Sequence, residues 1–159
     1  MYFVTICTQN RDCLLGNIVG VDPCVDPHLE TSNVGIMIDA WWNKLPEKFP
    51  LEVDVYQIMP NHVHGIISLL GRTHGSAPTI GMVIQWFKTM TTNEYIQNVN
   101  KKKWPPFEKK LWQRNYYEHV IRNEDDLNRI QKYIQANPLN WDEDEENIKV
   151  DPGGFGPPT

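Results

Sequence analysis

Residues 51–70 read LEVDVYQIMPNHVHGIISLL. Two short apolar-rich runs, Leu51 to Met59 and His62 to Leu70, are separated only by Pro60 and Asn61. That break marks a tight turn, so the runs are predicted to be neighbouring antiparallel strands. On a strand, residues two apart project to the same side. His62 and His64 therefore project together just after the turn, while Val63, Ile67 and Leu69 face the other way into a core.

Before the hairpin, Tyr2 to Thr8 (YFVTICT) is rich in β-branched and aromatic residues and reads as a strand, followed by a turn-rich stretch through Pro27. From about Ser32 to Lys48, Met37, Ala40, Trp41 and Leu45 recur at helical spacing, with Pro46 and Pro50 near the end. After the hairpin, Gly71 to Pro78 (GRTHGSAP) is a loop by composition. Ile80, Val83, Ile84 and Phe87 then fall at i, i+3, i+4 and i+7 of a second amphipathic helix. The order is β-α-β-β-α. A basic, proline-containing loop, Lys101 to Lys110, leads into Leu111 to Ile121, where a fourth strand would complete a ferredoxin-like split βαβ arrangement. The expected class is α+β: a central antiparallel sheet with helices packed on one face, and a C-terminal helix that delivers its side chains to the histidine-bearing strand.

That last helix is sharply bounded. Asn123 can cap it, Glu124, Asp125 and Asp126 lie near the positive end of its dipole, and Leu127, Ile130 and Ile134 form an apolar stripe. Pro138 disfavours helical geometry at Asn137. Residues 1–141 are expected to form a single domain. Residues 142–159, acidic from Asp142 to Glu146 and then Gly/Pro-rich (DPGGFGPPT), have the composition of a mobile tail. There are no internal repeats.

A chain of 159 residues with 40% hydrophobic residues is long enough for one real core. Cys7, Cys13 and Cys24 are odd in number and lack C-x-x-C spacing, which suggests reduced thiols in a cytoplasmic protein rather than disulfides or a zinc ribbon. Met1 to Thr8 carries no basic n-region, and no run is long enough to span a bilayer, so secretion and a membrane partner are not expected.

The net charge of -5 argues mildly against nucleic acid, but the average hides an asymmetry. Between Lys88 and Lys132 there are ten Lys/Arg against six Asp/Glu, a local +4, leaving five against fourteen, or -9, elsewhere. The basic part includes Lys101, Lys102, Lys103, Lys109, Lys110, Arg114, Arg122, Arg129 and Lys132, with Trp104, Phe107, Trp112, Tyr116 and Tyr117 interleaved. That mixture suits backbone neutralisation with base stacking. It also suits a solvated face beside core aromatics.

Two histidines at i and i+2 on a strand make a metal half-site that needs a further ligand from elsewhere, although the same spacing also arises in ordinary surface strands. On the last helix Tyr133 and Asn137 are four apart and share a face. They can present a phenol and a carboxamide jointly, or be a core tyrosine and a helix-end asparagine before proline.

Several separate segments, in order, resemble one family: the opening YFVTICTQNR, the hairpin MPNHVHGII, the run KLWQRNYYEHVIRNEDDLNRIQKYI and the closing NPLNW. Together they resemble REP-associated tyrosine transposases, single-tyrosine nucleases of the HUH class, named for two histidines flanking a hydrophobic residue, here His62-Val63-His64. The resemblance implies that His62 and His64 hold a divalent metal, Mg2+ or Mn2+, that Tyr133 is the nucleophile, and that Asn137 is a third metal ligand or orients the phosphate. It implies contacts to single-stranded or hairpin DNA by the basic residues named above, with Gln113 in a supporting role. The implied activity is nicking and rejoining of DNA through a 5′-phosphotyrosine intermediate.

Family members often carry residues ahead of the first strand that help to read DNA, and this chain opens almost at YFVT; absence of such a segment would weaken substrate recognition more than it would disturb the metal site. The acidic stretch after the last helix could occupy the basic groove and be autoinhibitory, or be a solvated tail. A domesticated, non-cutting DNA-binding protein of the same fold, a phosphodiesterase using metal-activated water, and a small interaction module with an incidental histidine pair are the competing readings. A monomer suffices if Tyr133 reaches the histidines of its own chain; exchange of the helix would build the site across a homodimer.

Overall fold

The computed structural model describes residues 1–20, 25–71 and 77–147. In chain order these form β1 (Tyr2–Cys7), β2 (Gly16–Val19), β3 (His28–Thr31), α1 (Asn33–Asn43), α2 (Leu45–Lys48), β4 (Leu51–Met59), β5 (His62–Leu69), α3 (Ile80–Asn100), β6 (Tyr117–Val120) and α4 (Glu124–Ala136). The main sheet has the order β4-β5-β1-β6 with every neighbour antiparallel, the ferredoxin-like arrangement expected from the element order. Proline and asparagine close the β4–β5 hairpin, and the fourth strand is β6, within the segment assigned to it.

The helices begin where the sequence offers oxygen acceptors. Ser32 Oγ accepts from Gly35 N at 3.0 Å at the start of α1, and Thr79 Oγ1 from Met82 N at 3.2 Å at the start of α3. Asn123 Oδ1 accepts from Asp126 N at 2.8 Å at the start of α4. Each such cap is worth about 1 kcal/mol.

The central strands are apolar on both faces, and this corrects the expectation of helices on one face only. Val4, Ile6, Val63 and Ile67 pack with Met37, Ile38 and Trp42 of α1 and Val83, Ile84 and Phe87 of α3. Phe3 and Ile66, on the opposite face, pack with Ile121 and with Ile130 and Ile134 of α4. A sheet buried on both sides needs a layer on each. The Trp42 and Phe87 rings meet edge to face at 5.5 Å, a geometry worth about 1 kcal/mol beyond the area buried.

Two further features lie outside the sequence reading. The turn-rich stretch holds a small separate hairpin, β2–β3, packed beside α1; residues 21–24, and with them Cys24, lie outside the described residues. The first helix divides into α1 and α2 around Lys44, just ahead of Pro46. In the predicted tail, residues 142–147 are described and fold back onto the domain, whereas 148–159 lie outside the described residues. Among the described residues, no helix is long and apolar enough to cross a membrane.

Candidate active site

The register of β5 against β1 aims both histidines at α4. Cys7 stands opposite His62, Thr5 opposite His64 and Phe3 opposite Ile66, so the pair continues the face that Ile66 gives to the second core. Both histidines are 1% exposed, and their rings are 5.0 Å apart. Burial pushes each pKa down to about 3, helped at His62 by the Arg11 charge and at His64 by its neighbour His62, against a smaller upward pull from Asp144. Both rings are therefore neutral at physiological pH, the form that binds metals.

The two rings are held differently. His62 Nδ1 lies 2.9 Å from Asn61 Oδ1. An amide oxygen only accepts, so Nδ1 carries the proton and Nε2 keeps its lone pair. Asn61, itself 1% exposed, is pinned by Nδ2 donating to the carbonyls of Arg11 (3.2 Å) and Glu146 (2.7 Å). On His64, both ring nitrogens are buried and neither has a hydrogen-bond partner among the described residues. An unsatisfied buried polar atom costs about 1–3 kcal/mol.

The third element is α4. With Ile130 and Ile134 turned to the core, the flanking stripe carries Arg129, Tyr133 and Asn137 at four-residue intervals. Tyr133 is 50% exposed, its ring 5.6 Å from that of His64 and edge-on to Phe3 at 6.1 Å. It is not a core tyrosine. Asn137, at the end of the helix, is 2% exposed; its Nδ2 donates to Asp144 and its Oδ1 is buried without a partner among the described residues.

No three His, Cys, Asp or Glu side chains converge among the described residues, so a third protein donor for the histidine pair has to be of another type. The unpartnered Asn137 Oδ1 is of that type. Two neutral imidazoles with free ring nitrogens and a carboxamide oxygen fit a divalent metal.

The acidic stretch closes over this arrangement. A short turn, Trp141–Glu143, places the Trp141 ring 6.2 Å from that of His62. Beyond it, Asp144 accepts from Asn137, and Glu146 pairs with Arg11 at 2.8 Å and accepts from the Cys7 thiol at 3.4 Å. A cleft of about 920 Å³ is left between this strap, α4 and β6, lined by His62, Tyr133, Asn137, Tyr117, His119 and Arg129 among others. Partial burial raises the Tyr133 phenol to about 12, with further contributions from Asp144, Glu145 and Glu146.

The remaining basic residues named from sequence are dispersed. Arg129 lines the cleft with Tyr133. Gln113 and Arg114 line a second cleft of about 810 Å³ against α3, where the Lys88 ammonium donates to the carbonyls of Gln113, Arg114 and Asn115. Lys101, Lys102 and Lys103 are exposed at the end of α3, Arg122 in the turn before α4, and Lys132 on α4, and none of them lines either cleft. The site roles of Asn61 and of the His119–Asp126 pair were not read from the sequence, and Asp144 was read only as part of the acidic stretch Asp142 to Glu146. For Asn61 the available signal was its place in the turn directly before the histidines.

The sheet carries the histidine pair on β5, with Tyr133 and Asn137 on α4 beside it. Residues 28–137 match the model of the family "Transposase IS200 like", and the chain belongs to that family. It is 33% identical to an uncharacterized protein of Haemophilus influenzae over 91% of this chain and 83% of that one. A second protein of that organism, provisionally named a REP-associated tyrosine transposase, is 32% identical over 58% of this chain and 52% of its own length. The fold matches that of a REP-associated tyrosine transposase solved bound to a REP hairpin, with a TM-score of 0.61, 21% identity, and 88% of this chain and 67% of that one covered.

Proposed function

We propose that this transposase-family chain nicks and rejoins single-stranded, hairpin-forming DNA with Tyr133 as nucleophile and a divalent metal, Mg2+ or Mn2+, held by His62, His64 and Asn137. The observation that carries this reading is the set of buried, unpartnered donor atoms, His64 Nδ1 and Nε2 and Asn137 Oδ1, beside a half-exposed phenol whose ring is 5.6 Å from that of His64. A bound divalent cation would offset the charge that develops on a phosphate oxygen as attack proceeds.

The protein's own residues supply placement. α4 fixes the phenol at the cleft, and the Phe3 ring holds it edge-on, so its oxygen can approach a phosphate in line. Tyr133 Oη forms the bond to phosphorus and loses its proton. The bond from phosphorus to the 3′ oxygen breaks, and that oxygen takes up a proton. The products are a 5′-phosphotyrosine and a free 3′-hydroxyl. One phosphoester replaces another, so a hydroxyl of the same or a second strand can reverse the attack and rejoin the DNA without a nucleotide cofactor. Burial and the strap carboxylates raise the phenol to about 12 in the metal-free chain, so it starts protonated there and attack requires an acceptor for its proton.

The test is incubation of the chain with end-labelled hairpin DNA and Mg2+ or Mn2+, followed by a denaturing gel. A protein–DNA adduct that is absent in Tyr133→Phe and in EDTA is expected. Cleaved DNA with no adduct would show that water is the nucleophile; bound but uncut DNA would support a non-cutting binding protein.

A further inference from the structure

The cleft beside Tyr133 holds a second constellation that metal binding and nucleophilic attack leave unused. On β6, Tyr117 and His119 are two apart and so share a face; they stand opposite Thr5 and Phe3 of β1, and that face looks toward α4. Across the cleft on α4, Asp126 joins two partners. One carboxylate oxygen lies 2.7 Å from His119 Nε2, and the other accepts from Arg129 Nη2 at 2.5 Å. The Asp126 side chain is 15% exposed and is held below the usual carboxylate range by its hydrogen bonds with His119 and Arg129. Arg129 is 72% exposed and makes no other hydrogen bond among the described residues.

The spacing along α4 gives this cluster a meaning. Arg129 precedes Tyr133 by four residues, as Tyr133 precedes Asn137, so its Cα lies about 6 Å along the helix from that of Tyr133, on the side away from Asn137, and its guanidinium reaches back to Asp126. Neighbouring phosphates of an extended nucleic-acid strand are separated by a comparable distance. The acidic strap is anchored at the Asn137 end of α4, and its Glu143 to Glu146 line the same cleft as Arg129. At the β6 edge, Tyr117 is 58% exposed and packs in a T-shaped pair with Phe3 at 6.0 Å.

We propose that these residues form a nucleotide subsite that sets the cutting position: Arg129 binds the backbone phosphate adjacent to the scissile one, Tyr117 stacks on that nucleotide's base, and Asp126, braced by His119, holds the guanidinium in place. The proposal rests on the assignment of Tyr133 as nucleophile for the word scissile, and on the cleft geometry for the rest. Arg129 and Tyr117 touch the nucleic acid. Asp126 and His119 are positioning residues, because they act through the guanidinium.

Two measurements test it. The first is binding of a single-stranded oligonucleotide to the full chain carrying Tyr133→Phe, so that no cleavage is needed, across a series of salt concentrations. Arg129→Gln is expected to weaken binding and to lower the slope of log affinity against log salt by about 0.7, the loss of one phosphate contact. Tyr117→Ala is expected to weaken binding about ten-fold with the slope unchanged. The second is the cleavage position at nucleotide resolution with Tyr133 intact. Asp126→Asn keeps every positive charge, so a merely electrostatic role predicts unchanged or tighter binding and one sharp cut. The positioning role predicts cuts spread over neighbouring phosphates, with the same outcome for His119→Leu and a sharp cut restored in His119→Gln. Unchanged affinity and slope in Arg129→Gln would overturn the subsite even if the chain cuts DNA. Absence of any adduct from the wild-type chain would remove the nucleophile assignment, while the binding series still decides whether the subsite exists.

Discussion

The Asn137 carboxamide donates to the Asp144 carboxylate at 2.5 Å and leaves its own oxygen buried with no partner. A carboxamide used only for helix capping would not need a carboxylate to orient it. The strap thereby fixes which end of the amide is left unpartnered, as outer partners fix imidazole ligands. Asn137→Leu is expected to weaken Mn2+ binding at least ten-fold by titration calorimetry, with the fold retained by circular dichroism. Asn137→Asp, which adds an anionic oxygen, is expected to bind Mn2+ more tightly than Asn137→Leu. Equal affinity in the wild type and both variants would remove Asn137 from the ligand set.

The histidine pair predicts a pH dependence of the metal-free chain. Folded, each ring stays neutral down to about pH 3 because charging it in the buried site is costly. Unfolded, each ring takes a proton near pH 6.5. Between those values the unfolded state binds more protons, so stability is highest above the unfolded value and falls as the pH drops. From pH 7 to pH 5 the loss is about 2 kcal/mol for each ring. Urea melts in EDTA at the two pH values measure it, and His64→Gln is expected to lose roughly half as much as the wild type from this source. Identical losses in the two proteins would mean that His64 is not held neutral by burial.

The sheet and the site's main residues were legible for different reasons. Alternation and the Pro60-Asn61 break located the β4–β5 hairpin, and two-residue periodicity placed His62 and His64 on one face, because both signals are local. The choice between a core and an exposed Tyr133 was not local. Four-residue spacing permits either, and burial decided it once Ile130 and Ile134 took the core side. The placement of α4 on the opposite face from α1 and α3 was misjudged because it depends on Phe3 and Ile66, whose side of the sheet is known only after the register is. Asn61, Asp144 and Glu146 act through contacts between residues as many as 139 apart in the chain; the turn and the acidic run are visible locally, but their partners are not.

The strap predicts coupled changes on truncation. Asp144, Glu145 and Glu146 all raise the Tyr133 phenol, and Glu146 also engages Arg11 and the Cys7 thiol. Ending the chain after Trp141 is expected to lower the phenol's pKa and to raise DNA affinity by removing negative charge beside the cleft, while weakening Mn2+ binding because Asn137 and Asn61 lose their partners on the strap. Cys7 gives an independent readout. Its thiol, raised to about 12 by burial and then by Glu146, is expected to resist alkylation in the full chain and to react measurably faster after truncation, followed by peptide mass spectrometry. Unchanged Cys7 reactivity would show that the strap does not hold this site closed; faster alkylation without a change in DNA affinity would separate the latch from any control of substrate.

Gly65 lies between His64 and Ile66 and faces the α1 side, where Tyr56 pairs across from it and Trp42 packs beneath. A Cβ there would stand 2.6 Å from Tyr56 Cβ and 2.8 Å from Trp42 Cζ2, both closer than real contacts allow. Trp42 is fully buried and wedged against Phe87, so relief has to come from β5 itself. Because successive residues of a strand are tied through the pleat, moving residue 65 also moves His64 on the opposite face. Gly65→Ala is therefore expected to destabilise the chain by about 1–3 kcal/mol in urea melts and to weaken Mn2+ binding under conditions where it remains folded. The double variant Gly65→Ala with Trp42→Phe, which makes room beneath the strand, is expected to recover metal affinity relative to Gly65→Ala alone. If Gly65→Ala binds Mn2+ as the wild type does, the strand's fit against Trp42 is not what positions His64.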